Sequence, residues 1–157
     1  MSTVAGIDWA AEHHDLRISD AQGARVCERR VAHDERGITQ LIGLLRAHEV
    51  CRVAIERPEG VVVDRLLEAG ILVLALHPNQ VAAARERFAC AGKSDRLDAF
   101  VLAELARTDA HRFRALVPDA DDTRALRALT RAREDLVATR VGICNQLRAE
   151  LELEYLD

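Results

Sequence analysis

The sequence predicts an α/β fold: a mixed five-stranded sheet flanked by helices and followed by a long C-terminal helix. Three observations predict it. The first 31 residues hold three short segments with strand-like patterning and no helical period. From residue 35 the apolar spacing turns helical and then alternates with short β-branched runs, as crossover units do. Residues 121–153 contain no proline and a single glycine, Gly142, which a long uninterrupted helix requires.

Val4–Ala10 (V-A-G-I-D-W-A) is a short apolar run suited to a buried strand. Asp15–Asp20 alternates around Leu16 and Ile18 as a half-exposed strand does. Ala21-Gln22-Gly23 signals a turn, and Arg25–Val31 resumes extended patterning, so the three segments form an antiparallel meander. Ile38, Leu41, Ile42 and Leu45 share one helical face, predicting a helix over 35–48. Val50–Ile55 is the fourth strand, and Pro58 and Gly60 end it. A helix over 61–69 follows, with Gly70 at its C-terminal cap. Ile71–Leu76 is the fifth strand, closed by His77-Pro78-Asn79, and helices over 80–91 and 94–108 flank Gly92. After Val117-Pro118-Asp119, Leu126, Leu129, Leu136, Ile143 and Leu147 fall at three- and four-residue offsets, interrupted by Arg133 and Arg140. That seam fits a coiled-coil or docking helix, and equally a helix folded back on its own domain. The boundary divides the chain into 1–118 and 119–157.

Three meandering strands followed by two right-handed crossovers give a mixed sheet with helices on both faces. RNase H-like and RuvC-like folds share this order, as does the actin or sugar-kinase half-domain.

Bulk properties exclude several classes. With 49% hydrophobic and 31% charged residues, the chain has the composition of an ordinary globular domain. No stretch is apolar enough to span a bilayer, and no signal pattern opens it, so a cytoplasmic, membrane-free setting is expected. Cys27, Cys51, Cys90 and Cys144 form no CxxC pair and read as small buried hydrophobes, not a disulfide frame or zinc site. Net charge is −4, but its distribution is uneven: −3 over residues 1–84, +3 over 85–148 and −4 over the last nine. The middle segment could therefore carry a basic face, or merely a solvated helix surface. Of 22 basic residues only Lys93 is lysine.

Two acids stand where acids are costly. Asp8 lies inside an apolar strand, and Glu56 ends another. A third element, Lys93-Ser94-Asp95-Arg96-Leu97-Asp98, puts Asp95 and Asp98 on one helical face. Oxygen-only ligands from two strands and a helix suit Mg²⁺ or Mn²⁺. Two such ions could stabilise both the attacking and the leaving oxygen of a phosphodiester exchange. Each acid also has a plainer reading. Asp95 can cap its helix, Asp98 can favour the helix dipole, Asp8 can pair with an arginine, and Glu56 with Arg57 or Arg52. His13 and His14 point to opposite strand faces and cannot chelate together; they read as surface histidines. Glu59 and Asp64 serve the start and exposed side of their helix. No Walker loop, GxGxxG, HExxH or nucleophile elbow occurs, and the aromatics are too scattered for a base-stacking platform.

At these residues the sequence resembles the DEDD-type insertion-sequence transposases, which include the Piv-like DNA invertases and the bridge-RNA-guided recombinases. The matching motifs are G-I-D-W-A at 6–10 with H-D-L at 14–16, A-I-E-R-P-E-G at 54–60, and K-S-D-R-L-D-A-F-V-L-A at 93–103. R-A-L-T-R-A-R-E-D-L-V at 127–137 and N-Q-L at 145–147 resemble the segment that follows this domain in the family. The resemblance implies a RuvC-like fold with Asp8, Glu56, Asp95 and Asp98 as its catalytic, metal-binding tetrad for two Mg²⁺ or Mn²⁺ ions. It implies DNA as partner, a guide (bridge) RNA in some members, and a coiled-coil segment that makes a homodimer or higher homo-oligomer. Lys93, Arg85 and Arg96 are the expected phosphate contacts. Family members continue into a second domain with a serine held to attack DNA. That serine domain has no counterpart in the 157 residues, so the chain is expected to be the metal-binding part of an incomplete recombinase. Rival expectations are a stand-alone RuvC-like nuclease and a non-catalytic dimerisation domain. An actin-like ATP module is disfavoured because Trp9-Ala10-Ala11, not glycine, follows Asp8.

Overall fold

A computed structural model describes residues 3–88 and 95–154. The chain divides into two compact units, Met1–Pro118 and Asp119–Asp157. In order the first holds β1 (Thr3–Trp9), β2 (His13–Ser19), β3 (Arg25–Ala32), α1 (Glu35–Ala47), β4 (Val50–Ile55), α2 (Val61–Glu68), β5 (Val73–Ala75), α3 (Pro78–Arg87) and α4 (Asp95–Thr108). A single 3₁₀ turn, Ala110–Arg112, follows, and α5 (Asp121–Glu154) makes up the second unit. The predicted element order is the observed one. The strands lie in the order β3-β2-β1-β4-β5, with β1–β2 and β2–β3 antiparallel and β1–β4 and β4–β5 parallel.

Boundaries moved where local chemistry overrode pattern. β2 starts two residues early because His13 and His14 already pair with Ala32 and Val31. β5 is only three residues long, since it pairs with β4 over Val53–Ile55 alone. Before it, the Ile71 amide is spent on the Leu66 carbonyl that closes α2. α3 begins at Pro78, earlier than the apolar spacing predicts. His77 caps it by accepting from the Asn79 amide, while the Gln80 side chain accepts from the His77 amide. Proline at the first helical position fits, because its missing N–H is not needed there.

The two-residue period of the strands sorts side chains onto two faces. Ala5 and Ile7 of β1, Leu16 and Ile18 of β2, and Val53 and Ile55 of β4 pack with Ile38, Leu41 and Leu45 of α1 and Val62, Val63 and Leu66 of α2. Val4 and Ala54 face the other way, against α3 (Val81, Ala84) and α4 (Val101, Leu102, Leu105). Gly6 shares that second face, and it fixes how near α4 can come. A Cβ at residue 6 would lie 2.2 Å from the Ala99 carbonyl oxygen and 2.4 Å from the Ala103 nitrogen. Only glycine lets the helix backbone rest on the strand. The small residues Ala99, Ala103 and Ala106 complete that close approach and are essentially inaccessible to solvent.

β3 is an edge strand, and its Arg25, Glu28, Arg29 and Arg30 give that edge the charge which discourages strand addition. The cysteines correct one expectation. Cys51 and Cys144 are exposed and Cys27 is half-buried, because Cys51 sits at the start of β4 and Cys144 on α5, where no core covers them. Cys90 lies outside the described residues. On α5 every apolar seam residue is exposed, Leu129 and Leu136 at about 70%. Among the described residues no helix is long and apolar enough to cross a membrane.

Candidate metal centre

Two neighbouring strands end their core runs side by side. β1 and β4 are parallel, with Ile7 opposite Ile55, so Asp8 and Glu56 are the next residues along on adjoining strands. Period two turns both toward the α3/α4 face, because Gly6 and Ala54 precede them on it. Strand carboxyl ends are where ligand sites gather in α/β sheets. α4, seated on Gly6, runs across the same face and contributes Asp98, which is 5% exposed.

The link among these acids is Arg85 of α3. Its Nε donates to Asp98 Oδ1 at 2.6 Å, and Nη2 lies 3.8 Å from Glu56 Oε2. One guanidinium thus meets a carboxylate that follows β4 and another from α4. Among the described residues Glu56 pairs with Arg85 of α3, not with Arg57 or Arg52. Asp95 opens α4, but its side chain, like the whole of Lys93, lies outside the described residues. Among the described residues no three His, Cys, Asp or Glu side chains gather closely enough to hold a metal ion. The cation that Glu56 and Asp98 share is Arg85.

The donor set nevertheless fits a hard divalent cation. It is all oxygen, it lies at a sheet end, and two of its members already converge on one positive group. Arg96, the other arginine expected to meet phosphate, is 76% exposed at its side chain, with Nε 3.5 Å from Glu28 Oε1.

Three features escaped sequence reasoning. Asp15 stands directly across from Asp8 in the β1–β2 ladder, on the same face and buried. Arg30 takes both its oxygens, Nε to Oδ1 at 3.1 Å and Nη2 to Oδ2 at 2.8 Å. The signal was the alternation of β2 itself, which puts Asp15 opposite in sense to Leu16. The same alternation corrects His14. It is wholly buried, not a surface residue, because it shares parity with Leu16 and Ile18. Its Nε2 lies 2.8 Å from His33 Nδ1. Burial, then the neighbouring His33 and His13, push its pKa down to about 4 against a smaller opposing pull from Asp15. Third, Trp9 ties the two strand-end motifs together. The Arg57 guanidinium stacks over its ring at 4.5 Å. Gly60, at φ +115°, brings the A-I-E-R-P-E-G loop against the same ring, where a Cβ would stand 3.4 Å from Cη2. The loop that carries Glu56 is thereby packed onto the strand that carries Asp8.

Comparison with known proteins identifies the family and the fold. The transposase family model for the DEDD type of IS110 matches residues 5–155. The putative transposase y4uE of Sinorhizobium fredii is 38% identical over 154 residues, covering 94% of this chain and 43% of that protein. The mini-circle putative transposase for IS117 of Streptomyces coelicolor is 36% identical over 161 residues, covering 99% of this chain and 39% of that protein. The chain therefore spans less than half the length of these relatives. Among solved structures, Thermus thermophilus RuvC, determined in complex with a Holliday junction substrate, superposes with a TM-score of 0.57 at 18% identity, over 74% of this chain and 100% of that one. That likeness establishes the RuvC-like, RNase H-like fold.

Proposed function

The chain belongs to the IS110-type family of DEDD transposases, and from that premise we propose that residues 1–118 are the metal-binding half of a DNA strand-exchange site. Asp8, Glu56, Asp95 and Asp98 hold one or two Mg²⁺ or Mn²⁺ ions in this reading. Bound there, the ions supply Lewis-acid stabilisation of a phosphodiester under attack. The carrying observation is that Glu56 and Asp98, from different elements, converge on a single cation at the strand end beside Asp8. Like charges brought together in this way need a counter-cation.

The protein's own residues set the remaining terms. The close seat of α4 on Gly6 fixes the depth of Asp98, and the Trp9–Gly60 contact fixes the loop after Glu56. Arg85, Arg96 and Lys93 supply positive charge for the DNA backbone, and for a guide RNA where one is used. α5 joins two copies through Leu126, Leu129, Leu136, Ile143 and Leu147, whose exposure in one chain leaves an apolar stripe to cover.

Thermal melting with added Mg²⁺ or Mn²⁺ tests the reading. The parent chain melts higher with metal, and Asp8→Ala loses that gain. No shift in the parent, or an undiminished shift in Asp8→Ala, overturns it. The RuvC-like fold supports a second reading, hydrolytic nicking by the same acids, and Mn²⁺-dependent nicking of a DNA duplex by the chain alone would favour it over strand exchange.

A further inference from the structure

Arg85 stands on α3, an element that brings no carboxylate to the cluster, yet its guanidinium meets two of the cluster's acids. Asp98 is nearly inaccessible to solvent, and a carboxylate in that position needs a charged partner. Glu56 reaches the same guanidinium from the sheet. A guanidinium cannot lose its charge at any ordinary pH, and its planar fork can serve two carboxylates together. Arg85 therefore does for these acids what a divalent ion would do. The two cations repel, so they cannot both be held tightly by one pair of carboxylates.

We propose that Arg85 is an exchangeable counter-cation: it holds Glu56 and Asp98 in place without metal, competes with the divalent ion for their oxygens, and is displaced when that ion binds. The inference rests on the reading of Glu56 and Asp98 as metal ligands and adds a regulated step to it. The Arg85 side chain is 30% exposed, so it has a way out of the cluster that keeps its methylene stem on the protein. Once displaced, its head lies beside the metal position, where a phosphodiester is the bidentate acceptor to which arginine is best matched. One residue then serves twice: as a placeholder in the empty site and as a phosphate contact in the loaded one. Metal affinity in the absence of nucleic acid is set low by design, and a phosphate that draws Arg85 away raises it.

The test is calorimetric titration of Mn²⁺ into the whole chain and into Arg85→Met. The variant is expected to bind Mn²⁺ roughly tenfold tighter than the parent, and to melt lower than the parent without metal. Equal or weaker Mn²⁺ affinity in Arg85→Met overturns the exchange. Absence of Mn²⁺ binding in both proteins overturns the metal reading itself, and the exchange with it. A second measurement needs no variant. In a ¹⁵N spectrum of the parent, the Arg85 Nε–H resonance is expected to shift or vanish as Mg²⁺ is added. A resonance that stays fixed while other signals report Mg²⁺ binding also overturns the exchange.

Discussion

The two faces of the sheet are built to different rules. Toward α1 and α2 the strands present large aliphatics (Ile7, Leu16, Ile18, Val53, Ile55), and the helices answer with leucine, isoleucine and valine. Toward α3 and α4 the same strands carry glycine, alanine and charge: Gly6, Ala54, Asp8, Asp15, Glu56. The first face gains its stability from apolar area. The second gives up part of that area so that a helix backbone can lie against β1 and deliver Asp98 to a strand end. Both faces carry a buried apolar cluster, but the strand-borne carboxylates Asp8, Asp15 and Glu56 all lie on the second.

The strongest way to break that division is to fill the gap under α4. Gly6→Val sets a side chain where the Ala99 and Ala103 backbone already lies. A loss of about 4 kcal/mol or more is expected in urea unfolding, since neither the helix nor a central strand can move aside. The apolar face has one weak point of its own, His14. Its pKa of about 4 in the folded chain lies below the ordinary 6.5, so the fold favours the neutral ring. Its contribution is complete above pH 6.5, declines as pH falls below that value, and is gone at about pH 4. Roughly 3 kcal/mol should be lost across that window. Replacing His14 with Gln should flatten this limb of the stability–pH curve, and an unchanged limb would place the acid sensitivity elsewhere. On the charged face, Arg30→Met takes from the buried carboxylate of Asp15 its nearer partner and leaves it His13, with Nε2 3.7 Å away. With Arg30 itself half-exposed, a modest destabilisation of about 1–2 kcal/mol is expected by thermal melting. Leu136→Asp changes an exposed side chain of α5, in the second unit. Its effect on the melting of the first unit should fall within about 0.5 kcal/mol, while sedimentation shows self-association weakened.

How much of this could be read beforehand follows the range of the interactions. Element order came from local period, and α5 from the absence of breakers. Asp8 and Glu56 stood out because acids are rare inside apolar strands. Arg85 as partner of Asp98 could not be read, since the two meet only after α3 and α4 have packed together. His14 and Asp15 were within reach: the alternation that placed Leu16 and Ile18 inward also settles which way residues 14 and 15 face. The adjacency of two histidines obscured it. The short β5 and the early start of α3 turned on single hydrogen bonds, at Ile71 and His77, that no periodicity encodes.

The central question is whether the charged face takes up metal. Crystals of the chain soaked in Mn²⁺, measured for anomalous scattering at the manganese edge, address this directly. The expected result is one or two anomalous peaks among the carboxylate oxygens of Asp8, Glu56 and Asp98, with the Arg85 guanidinium withdrawn from Asp98. Manganese bound elsewhere or not at all, with Arg85 still seated on Asp98, would contradict it.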